Sequence, residues 1–144
     1  MEKEDYIRLA LSEAKKSIKS GDVPVGAVIV HNGKVIAKAH NKKEKLKLAT
    51  AHAEILAIEK ASKKINNFRL DQMEIYVTKE PCLMCMGAIL SARIKKIYFG
   101  AYDRRFGTKE LAGDNKFNHK CEIEGGILKN DCEELLSQFF KNIR

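Results

Sequence analysis

The sequence predicts a three-layer α/β/α sandwich, a mixed central sheet of about five strands with helices on both faces. Three observations predict it. Apolar runs of strand length alternate along the chain with stretches of helical periodicity. One run, Val25-Gly26-Ala27-Val28-Ile29-Val30, is apolar throughout, as a strand covered on both faces must be. Asn32-Gly33 then separates two apolar runs, a strong signal for an antiparallel hairpin. With 144 residues, 44% of them hydrophobic, the chain is long enough for one proper core and short for two, so residues 1–144 are expected to form a single domain.

The elements follow in order. Ile7, Leu11, Ala14 and Ile18 lie near helical spacing and predict an amphipathic helix over 5–19 that ends at Gly21 and lies against the sheet. Pro24 opens the first strand, and Val35-Ile36-Ala37 returns as its hairpin partner. After a polar connection, Ile55, Leu56, Ile58 and Ala61 predict a second helix over 52–64, beginning close to His52. A strand over 73–79 runs into Pro81, a third helix covers 82–92, and Lys96-Ile97-Tyr98-Phe99-Gly100 forms a further strand. Residues 101–118 read as loop or short helix, Cys121-Glu122-Ile123 as a weak strand, and 130–142 as a final helix.

Composition excludes some classes of function. No apolar run approaches the roughly 18 residues of a membrane span, and the charged start Met1-Glu2-Lys3-Glu4-Asp5 is unlike a secretory signal. A cytoplasmic protein with no membrane contact is expected. The net charge of +8 suits a polyanionic partner, although pairs such as Lys15-Lys16, Lys42-Lys43 and Lys63-Lys64 also fit solvated faces. Cys121 and Cys132 lie in ordinary segments and read as buried or half-buried thiols.

The chemistry is concentrated in two short strings, Thr50-Ala51-His52-Ala53-Glu54 and Pro81-Cys82-Leu83-Met84-Cys85. One imidazole and two thiolates make the ligand set of a catalytic Zn²⁺, three protein donors with the fourth tetrahedral position open. Alone, a His-x-Glu is most often a chance helix opening, and a Cys-x-x-Cys can be redox-active or structural. Together they are far more specific. Cys82 and Cys85 share one side of a helix's first turn, where Pro81 is tolerated and the positive dipole end favours thiolates. His52 and Glu54 would diverge in mid-helix, but at a helix start both can approach an ion lying beyond the end. The zinc is therefore expected between two helix N-termini, with Glu54 beside it to carry protons.

These strings resemble the signature of the zinc-dependent nucleoside and nucleobase deaminases. The chain as a whole is similar to the bacterial tRNA-specific adenosine deaminase family. That likeness extends to Val23-Pro24-Val25-Gly26-Ala27-Val28, His40-Asn41, Ser91-Ala92-Arg93-Ile94, Phe99-Gly100-Ala101 with Asp103, Asn118-His119, and the stretch Leu135 to Arg144. The resemblance implies a cytidine deaminase-like fold, one Zn²⁺ per subunit and a homodimer. It also implies a tRNA anticodon stem-loop as partner, with hydrolytic conversion of wobble adenosine, in an arginine tRNA, to inosine and ammonia.

Residue roles are implied in the same way. His52, Cys82 and Cys85 would hold the metal and Glu54 would be the catalytic acid and base. Asn41 would hydrogen-bond the target base, Val25 would line its pocket and Ala53 would offer backbone groups beside it. Asp103, Arg105, Phe139, Phe140 and Arg144 would meet the RNA, one of the two rings being buried and the other exposed. Read without the family, Asn41 fits a hairpin cap and Val25 a core position. The chain departs from the family at Leu48-Ala49, often Asp-Pro, at Lys79, commonly apolar, and in the loop around Arg105, Gly107-Thr108 and Lys109-Glu110. Two other readings stand beside this one: a deaminase of free guanine or cytosine, and a non-catalytic RNA-binding or structural-zinc protein.

Overall fold

The computed structural model describes residues 1–105, 107–114 and 119–143. Five strands form one sheet in the order β2-β1-β3-β4-β5, comprising β1 (Gly26–His31), β2 (Lys34–His40), β3 (Glu74–Lys79), β4 (Lys96–Ala101) and β5 (Glu122–Glu124). β1 pairs antiparallel with both β2 and β3, whereas β3, β4 and β5 run parallel, so the sheet is mixed as expected. The helices are α1 (Lys3–Lys15), the single turn α2 (Lys43–Leu46), α3 (Ala53–Ile65), α4 (Leu83–Ser91) and α5 (Lys129–Asn142).

Two apolar cores, one on each face, hold the layers together. On one face Ala27, Ile29, Ile75, Val77, Ile97 and Phe99 meet the apolar sides of α3 and α4. On the other, Val28, Val30 and Tyr76 meet Tyr6, Ile7 and Ala10 of α1, and Ala101 meets Cys132 of α5. Alternate residues of β1 thus feed both cores, which is why that run carries no polar residue. A Cβ at Gly26 would overlap the Ala10 carbonyl, so the glycine is what lets α1 lie directly on the strand. At the hairpin, Asn32 and Gly33 take φ of 50° and 75°, the left-handed pair a type I′ turn requires.

Most boundaries fall within two residues of expectation; two features differ. The first helix stops at Lys15, not at residue 19, and a 3₁₀ turn over Ile18–Ser20 follows, ending at Gly21 with φ of 77°. The fully buried Ser17 donates its hydroxyl to the Asn41 carbonyl at 2.8 Å, drawing the chain out of the helix toward the end of β2. The turn α2 was not expected, because its lysine-rich sequence has no apolar period. Cys121 and Cys132 are buried free thiols, and burial pushes both up to about 12. Among the described residues, no helix is long and apolar enough to cross a membrane.

Candidate metal and catalytic centre

Two helix starts meet at one end of the sheet. His52 is the N-cap of α3, with φ −79° and ψ 152°, and Cys82 is the N-cap of α4, with φ −75° and ψ 175°. Each is extended, so its side chain escapes the helical spiral and turns across the helix end, while Glu54 and Cys85 follow in the first turns. This resolves the i, i+2 problem of His52 and Glu54 as the spacing required.

The donors converge. His52 Nδ1 lies 3.7 Å from Cys82 Sγ and 3.5 Å from Cys85 Sγ, and all three donor atoms fall within 4.8 Å of one another. A tetrahedral Zn²⁺ with ordinary bond lengths needs an N to S separation of about 3.6 Å, so both N to S separations match the ion. The electrostatics fit as well. On the protein's own charges, hydrogen bonds from Cys85 and His52 bring the Cys82 thiol down to about 3. Cys85 shifts strongly upward, first because it donates to Cys82 and then because it is buried. The bond that His52 itself makes to Cys82 raises the imidazole, opposed by burial and aided by the Glu54 charge. One thiolate therefore stands ready, and the second proton is the one a dication would displace.

Glu54 is 4% exposed. Burial, helped by the negative charge of Cys82, raises its carboxyl to about 7 against the pull of its own backbone N–H and His52. It faces a cleft of about 230 Å³ also lined by Val25, Asn41, His52, Cys82 and Asp103. That is below the roughly 300–1,000 Å³ of drug-sized pockets, suited to one planar group and not to a whole nucleotide.

Several expected site residues meet here. Val25 and Asn41 line the cleft. Asn41 Nδ2 donates to the Val23 carbonyl at 3.0 Å, and its Oδ1 accepts the Ala53 N–H at 2.8 Å. The amide thus ties β2 to the start of α3 and retains one N–H and one lone pair. Ala53 is fully buried behind the cleft, and its N–H is already engaged by Asn41. Asp103 lines the cleft, paired with Lys79 Nζ at 3.2 Å, and its Oδ1 accepts the Arg105 N–H at 2.9 Å. Arg105 is exposed beside it. Phe139 is 7% exposed and Phe140 43%, one ring in and one out, with centroids 5.3 Å apart. Both sit on α5 and do not line the cleft. Arg144 and Asn118 lie outside the described residues. Asp22 and Glu80 also line the cleft and were not anticipated.

A structural metal has no use for a buried, near-neutral carboxylate beside it, nor for a cleft opening onto its ligands. On this sheet, such a centre defines the class of hydrolytic deaminases with the cytidine deaminase-like fold. The chain belongs to the MafB19-like deaminase family, whose model matches residues 1–144. It is 43% identical to the tRNA-specific adenosine deaminase of Bacillus subtilis, over 96% of this chain and 89% of that one. Its identity to the tRNA-specific adenosine deaminase of Aquifex aeolicus is 44%, over 100% and 97%. A solved structure from work on A-to-I editing by tRNA:A34 deaminases at the wobble position superposes with a TM-score of 0.88 at 36% identity, covering 91% of this chain and 98% of that one.

Proposed function

We infer that this protein converts adenosine to inosine at the wobble position of a tRNA anticodon, releasing ammonia, and that the tRNA is an arginine tRNA. The observation that carries the reading is Glu54, a buried carboxyl raised to about 7 that lines a base-sized cleft together with His52 and Cys82. A Zn²⁺ held by His52, Cys82 and Cys85 supplies the Lewis acidity that brings a water's pKa toward neutrality. Glu54 takes a proton from water as its oxygen adds to C6 and passes that proton to the ring nitrogen N1. It then takes the proton of the new C6 hydroxyl and gives it to the amine, which leaves as ammonia while the C6 carbonyl of inosine forms. Asn41 uses its remaining N–H and lone pair to orient the base, and Val25 gives the cleft an apolar wall.

The target base must be unstacked to enter, at a cost of a few kcal/mol. The net charge of +8 offsets that cost through phosphate contacts. Arg105, Arg144 and the exposed Phe140 ring are proposed for those and for stacking on neighbouring bases, with Asp103 reading the flank and Phe139 seating Phe140. One zinc per subunit, a homodimer, a single domain spanning 1–144 and action in the cytoplasm complete the proposal. The test is ammonia release from an arginine tRNA anticodon stem-loop, free guanine and free cytosine. Turnover of the stem-loop alone is expected; turnover of a free base alone would replace the tRNA reading with that of a nucleobase deaminase.

A further inference from the structure

Two carboxylates in the cleft wall take no part in this chemistry. Asp22 and Glu80 are 2% and 5% exposed, and among the described residues neither forms a salt bridge. Each binds backbone. Asp22 accepts the N–H of Glu44 at 2.5 Å and of Lys45 at 3.3 Å, with the Ser20 hydroxyl at 2.5 Å. Although burial opposes ionisation, these bonds hold its carboxyl below the usual range. Glu80 accepts the Asp103 N–H with one oxygen and the Lys109 N–H with the other, both at 3.0 Å. The chain passes so closely over Glu80 that a Cβ on Gly107 would overlap the carboxylate and the Asp103 carbonyl. The tethered segments place Lys43 and Glu44 at the cleft from α2 and Asp103 from the loop beyond β4.

We propose that Asp22 and Glu80 are positioning residues, a pair of buried anchors that set the two walls of the cleft mouth and so govern affinity and selectivity for the nucleotides flanking the target base. This rests on the tRNA reading above. Anchoring through backbone N–H groups fixes where a loop lies while leaving its side chains open to change. That accounts for a loop that departs from the family at Arg105, Thr108, Lys109 and Glu110 and still borders the site. Because the hydrogen bonds of the anchors go to the N–H groups of Glu44, Lys45, Asp103 and Lys109 and to the Ser20 hydroxyl, and none to His52, Cys82 or Cys85, they act on binding and not on the chemical step.

The test uses the zinc-loaded enzyme with Glu80→Gln, Asp22→Asn and Gly107→Ala, on stem-loops carrying each base at the flanking positions. An amide in place of either carboxylate turns an NH₂ toward a backbone N–H and breaks one tether. KM should rise about tenfold while kcat stays within about twofold, and discrimination among flanking bases should shrink. Hydrogen exchange should accelerate at the Asp103 and Lys109 amides in Glu80→Gln, and at Glu44 and Lys45 in Asp22→Asn. Gly107→Ala should reproduce the Glu80→Gln kinetics with the carboxylate intact, and decides the matter should Glu80→Gln not fold. Unchanged KM and selectivity, or a kcat that falls in step with zinc content, would overturn the proposal. Failure of the wild type on every stem-loop would count against the tRNA reading instead, and the exchange rates would still judge the anchors.

Discussion

Asn41→Ala is the most informative single change to the scaffold. The side chain joins β2 to the first residue of α3, and the Ala53 N–H it accepts is fully buried. The Val23 carbonyl keeps a second partner, the Val25 N–H at 2.9 Å. The cost therefore falls mainly on Ala53, whose orphaned N–H loses about 1–3 kcal/mol, with about 2 kcal/mol the central expectation. For a chain of 144 residues that corresponds to a fall in Tm of roughly 7 °C. Thermal unfolding measured together with exchange at the Ala53 amide checks both halves of the argument. The same change loosens the helix start that presents His52 and Glu54, so kcat/KM should drop at least about tenfold. A Tm shift under about 2 °C with the Ala53 amide still protected would refute the reasoning.

Other perturbations separate the remaining claims. Cys82→Ser should abolish stoichiometric zinc by elemental analysis and with it deamination; retained zinc with full activity would remove Cys82 from the ligand set. Stability should decline on acidification. His40 is lowered from 6.5, first by burial, so its neutral form is the folded one and its contribution is lost as pH falls below 6.5. Glu13 is lowered from 4.5 by its bonds to Lys16 and His40, which outweigh burial, so its contribution is present above 4.5 and lost below it. Urea unfolding from pH 7 to 4 should show both losses, and His40→Gln should flatten the upper part. Phe139→Ala should destabilise by about 3 kcal/mol as a buried ring is removed. Phe140→Ala should leave Tm unchanged and weaken tRNA binding in a filter assay; equal Tm losses would show that both rings are core.

What the sequence reveals about this molecule is mostly what acts locally. The β1–β2 hairpin is legible because Asn32-Gly33 permits a turn that few dipeptides can make. The four chemical groups of the centre are legible because each string lies within one helical turn, so only the meeting of the two strings had to be inferred. What escaped depends on distant partners. The end of α1 is decided by Ser17 bonding to Asn41, 24 positions away. The turn α2 is held by Asp22 from 22 positions away, not by any pattern of its own. Asp22 and Glu80 themselves leave no trace in spacing, because the backbone N–H groups they grip carry no residue identity. Ala53 shows the same limit, since which group its N–H meets depends on how β2 returns to α3.

The central claim is that Glu54 moves the protons of adenosine hydrolysis at a centre built by His52, Cys82 and Cys85. Its most direct test is inosine formation on an anticodon stem-loop by wild type and Glu54→Gln, each with zinc content measured. The account predicts equal zinc and a loss in kcat of about 10²–10⁴-fold; a zinc-replete Glu54→Gln that forms inosine at within about tenfold of the wild-type rate would contradict it.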